Sequence, residues 1–254
     1  MASIVDAFNE ALTEDLAYVK IIAFSIPVNY VINLYMVGKT SQFELFGTIV
    51  GVLLLGLLSQ GINNVRMNRR EILTLNPLSY IKALGKTLLV LVPQVFVFGL
   101  IGKNLIDKVQ IPIDLPHVPL IFAIIVWSII FSIVLTSYMS FAKYLKVAQG
   151  YNFKVILESC IDVLISFLFF IPQLLLANIV LIGPVAYLFS FFNLPFTHFW
   201  FITYCSMVFI VNISILANYL AQAAYEHIRG NNEEYDENVN VNLIDDVSER
   251  VNGN

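Results

Sequence analysis

Apolar residues along this chain gather into six long runs: 21–37, 43–62, 84–101, 118–138, 163–182 and 199–221. Each is close to the ~20 residues that a helix needs to cross a hydrocarbon layer of about 30 Å. The fourth and sixth are expected to continue as helix to about 147 and 227. Gly183-Pro184 and Asn193-Leu194-Pro195 bracket the apolar stretch 185–192, which is too short to span and predicts an interfacial or partly re-entrant linker. Ahead of the first run, residues 2–19 place Ile4, Val5, Phe8, Leu12, Leu16 and Val19 at three- and four-residue spacing, with Asp6, Glu10, Thr13 and Glu14 opposite. That pattern predicts an amphipathic lead-in helix. Its acidic polar face would not draw it to anionic lipid, so packing on the bundle is expected, with a partner-binding helix as the alternative.

Composition sharpens this picture. Apolar residues make up 58% of the chain and charged residues 13%, with mean hydropathy +0.79, against about 45–50% and 25% in soluble domains. Between Val163 and Tyr225 there is no Asp, Glu, Lys or Arg. Lipid must therefore solvate much of the surface, and the fold class expected is an all-α, polytopic transmembrane helix bundle of about six spans. Lys and Arg set its orientation. Eleven (Lys20, Arg66, Arg69, Arg70, Lys82, Lys86, Lys143, Lys146, Lys154, Arg229 and Arg250) fall on one side, and three (Lys39, Lys103 and Lys108) on the other. Both termini are expected in the cytoplasm, in a cytoplasmic (inner) membrane. The first apolar run follows an acidic, mixed stretch rather than a basic one, so it is expected to be retained as a span.

The net charge of −4 is unevenly divided: residues 1–229 carry 13 basic and 11 acidic groups, residues 230–254 one and seven. No basic face exists for nucleic acid. The expected domains are a lead-in helix over 1–19, a membrane domain over 20–229, and a disordered acidic cytoplasmic tail over 230–254 that offers a protein partner a short Leu243–Val247 segment. Cys160 and Cys205 sit within or beside apolar runs and read as small core residues.

Val92-Pro93-Gln94 and Ile171-Pro172-Gln173 recur at an offset of 79 residues, as do Leu115-Pro116 and Leu194-Pro195. The chain therefore reads as two or three helix-hairpin repeats with Pro-kinked first helices. The units are about 20–74, 75–150 and 151–229, and Pro27 stands at the kink position of the first. All units enter the membrane in one direction, so a pseudo-symmetry axis is expected along the membrane normal. Each proline frees the carbonyl four residues earlier, those of Ala23, Leu89 and Leu168. Asn29, Gln94 and Gln173 lie close by and carry amides able to answer them. Two outcomes stay open: kinks that only shape the bundle, or a mid-depth polar pocket holding Asn29, Gln94, Gln173, Asn178 and Asp162. Asp162, with Glu158 one turn away and Lys154 near in sequence, is either a coupling carboxylate or an interfacial ion pair.

Asn33, Gln60, Asn178, Asn212, Ser214 and Asn218 read as interhelical hydrogen-bonding residues. Gly47-x-x-x-Gly51, with Gly56 beyond, predicts close backbone approach by the second span. Arg66, Arg69, Arg70, Lys82 and Lys86 would lie against the inner leaflet, setting topology and offering a site for lipid headgroups. His117, His198 and His227 lack metal-site spacing, with His117 and His198 read as interfacial caps. No phosphate loop, nucleophile elbow or paired intramembrane carboxylates occur, so no catalytic residue, metal or cofactor is expected.

The amphipathic lead-in, Gly61-x4-Arg66-x2-Arg69-Arg70 after the second span and Ala142-x-Tyr144-x5-Gly150 after the fourth resemble a group of uncharacterised prokaryotic six-helix integral membrane proteins. The layout is also similar to the membrane domain attached to some glycerophosphodiester phosphodiesterases, without their catalytic domain. The resemblance covers most of 15–230 and implies a multi-pass bundle, but no site residues. Two functions are consistent with the sequence: a lipid- or partner-binding scaffold or accessory protein, and a small transporter or permease with its site between the Pro-kinked helices. Oligomeric state is left open.

Overall fold

A computed structural model describes residues 4–14, 16–67, 69, 71–108 and 118–228. Every regular element among them is helical: α1 (Ile4–Thr13), α2 (Ala17–Met36), α3 (Thr40–Arg66), α4 (Pro77–Lys108), α5 (Val118–Tyr144), a 3-10 turn (Val147–Tyr151), α6 (Phe153–Phe191) and α7 (Phe199–His227). Helices α2 to α7 are the six that are long and apolar enough to cross a membrane. Leu115-Pro116, His117, Arg70 and the acidic tail lie outside the described residues.

Local chemistry sets most of the helix ends. Gly38 takes φ 76° after α2, a left-handed conformation free of Cβ strain, and the Gly38 and Lys39 amides close the helix on the Tyr35 and Leu34 carbonyls. Asn193, at φ 53°, ends α6 in the same manner. Asn76 caps α4 by accepting from Leu78 N–H at 3.1 Å, with Pro77 in the first helical position. His198 caps α7 by accepting from Trp200 N–H.

Three expectations are corrected. The lead-in helix does not reach Val19, because Leu16 adopts φ 58° and splits it into α1 and the start of α2. The face of α1 that packs on the bundle carries Ala7 and Ala11 with the expected Ile4, Phe8 and Leu12 beside them, while Val5, Leu16 and Val19 are exposed. Residues 185–191 are not a linker: α6 runs unbroken for 39 residues through Pro172 and Pro184. Such a helix is about 58 Å long, well beyond a hydrocarbon core. At the end of α5, Leu145 at φ 51° stops the helix before Val147.

The spans pack in a regular order. Helices α3, α5 and α7 touch one another, and each remaining span packs against two of them: α2 against α7 and α3, α4 against α3 and α5, α6 against α5 and α7. The three central helices are most enclosed toward their C-termini, at Gly56–Asn64 in α3, Thr136–Lys143 in α5 and around Ser214–Ala224 in α7. That end also carries Lys20, Arg66, Lys82, Lys86 and Lys154, and is called the basic end below. Helix α1 docks there on α7, with Glu10 accepting from the Asn218 amide.

Close approach in α3 falls where the Gly47/Gly51 pair does not. A Cβ at Gly51 would meet nothing within 4 Å, and one at Gly47 only ordinary side-chain contact at 3.6 Å. At Gly56 it would stand 2.7 Å from Leu84 Cβ and Tyr80 O, and at Gly61 2.9 Å from Ala217 Cβ. Gly56 and Gly61 are therefore what let α4 and α7 reach the α3 backbone.

Candidate functional site

The five residues expected to share a mid-depth pocket have separate environments. Gln94 is buried, and its amide donates to Ser137 Oγ at 2.6 Å and to the Gly150 carbonyl at 2.7 Å, while its own oxygen has no partner. Asn29 donates to Thr203 Oγ1 at 2.7 Å across α2 and α7. Asn178 and Asn212 form a reciprocal pair joining α6 to α7, at 2.7 and 3.3 Å. Gln173 and Asp162 are exposed on α6. Among the described residues no extensive packing of α4 on α6 brings Gln94 and Gln173 together, since both helices lie outside the α3–α5–α7 centre. The matched glutamines differ because the 3-10 turn after α5 folds back on α4 and encloses Gln94.

That turn also answers a carbonyl freed by proline. Tyr151 Oη donates to Leu89 O at 2.7 Å, the group that Pro93 leaves without its helical N–H. A tyrosine from a following linker thus does what the sequence assigned to the neighbouring amide. Glycine at 150 lets the turn fit closely: a Cβ there would sit 2.7 Å from Val90 Cγ1 and 3.2 Å from Phe141 Cβ, so those side chains would have to shift.

A different constellation forms at the basic end. An open pocket of about 430 Å³ is lined by Gln60, Asn64, Arg69, Glu71, Thr74, Asn76 and Ser79. Its wall is built where α3 runs out of apolar sequence. Buried Asn64 accepts from Gln60 Nε2 at 2.9 Å and from Arg69 at 3.1 Å, and donates to Ile72 O at 3.2 Å. One amide therefore ties the helix end, the loop and the arginine together. The far side is the cap of α4, where Asn76 N–H meets Thr74 Oγ1 at 3.2 Å and Ser79 Oγ donates to Asn76 O at 2.8 Å.

Behind this pocket the buried Lys20 stands between two carboxyl groups, one buried and one at the pocket surface. Lys20, 1% exposed, stands 3.6 Å from Glu14 and 3.7 Å from Glu71. Glu14 is buried as well, and its Oε2 accepts from the Ile72 and Leu73 amides at 2.5 and 3.0 Å. Burial pushes the Glu14 carboxyl above the ordinary carboxylate range, against the opposing pull of the Leu73 N–H, the Lys20 charge and the Ile72 N–H. Glu14 thus pins the α1–α2 junction to the loop that walls the pocket.

Of the basic residues expected at the inner leaflet, Arg69 lines the pocket and Arg66 stacks over the Tyr225 ring at 4.8 Å. Lys82 and Lys86 are exposed on α4. Sequence reasoning missed Asn64, Glu71, Thr74, Asn76 and Ser79 as one site, and read Gln60 only as helix glue. The available signal was a polar run, Gln60 to Asn64, closing an apolar span directly before a basic loop and the Asn-Pro start of the next helix. Lys20 counted only as an orientation charge and Glu14 only as part of an acidic face. No family model, curated protein or solved structure matches the chain, so what it does has to be argued from this geometry.

Proposed function

We propose that this chain is a non-enzymatic, multi-pass protein of the prokaryotic cytoplasmic membrane that serves as a lipid-binding scaffold, with both termini and its binding pocket on the cytoplasmic side. The observation that carries the reading is the polar pocket at the basic end. Lysine and arginine favour the cytoplasmic face, and the pocket opens where α3 leaves its apolar stretch and meets Arg66 and Arg69. Its volume of about 430 Å³ suits a headgroup or other small polar group rather than a folded partner. The order of helix contacts supports three hairpin repeats, because each first helix has the same relation to the second helices on either side of it. The permease reading has less support: Asn29, Gln94 and Asn178 are engaged in interhelical hydrogen bonds, and Gln173 and Asp162 face outward.

The test is site-specific crosslinking in native membranes. A photoreactive residue replaces Thr74 in the pocket or Ser190 at the opposite end, and adducts are identified by mass spectrometry. Enrichment of lipid adducts at Thr74 is expected. Equal labelling at both positions would remove the pocket from the argument. Solute uptake into proteoliposomes that Gln94→Leu abolishes would replace scaffolding with transport.

A further inference from the structure

Resting on that reading of the pocket, we infer that its ligand is a zwitterion carrying a phosphate and a primary ammonium group, with Arg69 receiving the phosphate and Glu71 the ammonium. The charges of the site support a ligand with no net charge. Among the described residues the lining carries one cation, Arg69, and one carboxylate, Glu71, and behind it Lys20 lies between Glu71 and Glu14. An anionic headgroup would bring in a charge that this set leaves unmatched, and poorly matched charge at a half-buried site is unfavourable. A zwitterion keeps the balance and gives each end a partner.

The two recognition groups are positioned for this and have capacity left. Arg69 donates from Nη1 to Asn64 at 3.1 Å, and a guanidinium has five N–H donors. Its hold on Asn64 fixes one edge of the planar fork, and the remaining donors match phosphate oxygens. Asn64 is itself locked by Gln60 and Ile72 O, so the arginine is anchored to a buried residue rather than swinging freely. The Glu71 side chain is 47% exposed, and Lys20 approaches it from the buried side at 3.7 Å. A carboxylate has about four acceptor sites, which leaves the exposed side for an ammonium N–H. Thr74, Asn76 and Ser79 line the same pocket with hydroxyl and amide groups. A quaternary ammonium has no N–H to donate and should be discriminated against.

Two sources present this chemistry, a phosphatidylethanolamine headgroup and free phosphoethanolamine, and one experiment separates them. The full chain is purified and its thermal unfolding followed in phosphatidylcholine nanodiscs doped with phosphatidylethanolamine or with phosphatidylglycerol, and in detergent with added phosphoethanolamine. Phosphatidylethanolamine is expected to raise the unfolding midpoint above that in pure phosphatidylcholine, and phosphatidylglycerol is not. Arg69→Gln and Glu71→Gln each remove the increment, whereas Lys154→Gln, an exposed charge outside the pocket, keeps it. A shift with soluble phosphoethanolamine but not with the lipid supports the same chemistry and assigns the soluble source. An equal shift with phosphatidylglycerol, a shift that survives Glu71→Gln, or no shift with either ethanolamine compound overturns the inference. Thr74 crosslinking distinguishes the two levels of failure. Lipid adducts without headgroup discrimination leave the pocket reading standing and remove the zwitterion, and loss of the adducts together with no shift from either ethanolamine compound removes both.

Discussion

Gly56→Ala puts the packing of α3 against α4 to a direct test. The new methyl would lie 2.7 Å from Leu84 Cβ and from the Tyr80 carbonyl oxygen, and 3.3 Å from Leu84 Cα. None of these atoms can rotate away, because they belong to the backbone or the first side-chain carbon. Ordinary contact begins near 3.4 Å, so the two helices have to separate by about 0.7 Å. Overpacking of this kind costs about 1–3 kcal/mol. Against it stands the gain from replacing glycine in a helix, about 0.5–1 kcal/mol. The net expectation is a loss of roughly 0–2.5 kcal/mol, or a fall of up to several degrees in midpoint at about 2–4 °C per kcal/mol. Gly51→Ala is the matched control in the same helix. Its methyl meets nothing within 4 Å, so only the helix gain remains and the midpoint should rise. Both are read by far-UV circular dichroism on heating in a mild detergent. Opposite signs support the close approach at Gly56. If Gly56→Ala melts at or above Gly51→Ala, α4 does not lie on α3 as described.

Other consequences follow from single contacts. Glu14 titrates above 4.5 in the folded protein, so the stability its protonated form contributes is present below about pH 4.5 and is lost as pH rises through its folded pKa. Glu14→Gln should flatten the pH dependence of the midpoint in that window, and an unchanged slope would mean the carboxyl is not buried. Lys20→Met should destabilise by about 3–5 kcal/mol, because it leaves Glu14 buried without its cation. Adding Glu14→Gln should recover part of that loss, which thermal melts of the single and double variants would measure. Tyr151→Phe should cost about 1 kcal/mol by exposing the Leu89 carbonyl, and less in a Pro93→Ala background where the helical N–H is restored. Equal losses in both backgrounds would break the link between Tyr151 and Pro93. A double-mutant cycle of Asn178→Leu and Asn212→Leu should give a coupling near 0.6 kcal/mol and no more than about 1.7; zero coupling would unpair α6 and α7 at this point.

Hydrophobic patterning alone determined that six helices of this chain are long and apolar enough to cross a membrane, and it located α2, α3 and α7 to within a few residues, while α4 extends well beyond its apolar core at both ends. That follows because burial in lipid constrains every residue of a span and leaves a signal about 20 residues long. Side-chain partnerships carry no such signal. Gln94 and Gln173 follow the same proline in matched positions, yet one is enclosed by the 3-10 turn and the other faces outward. Whether a proline ends a helix was equally undecided, and α6 continues through Pro184 where the local sequence favoured a linker. Lys20 looked like one more orienting charge until tertiary packing set Glu14 and Glu71 beside it, from before α2 and from beyond the end of α3. The pocket at the basic end belongs to the same class. Its residues come from a helix end, a loop and a cap, and only the fold brings those three within reach of one ligand.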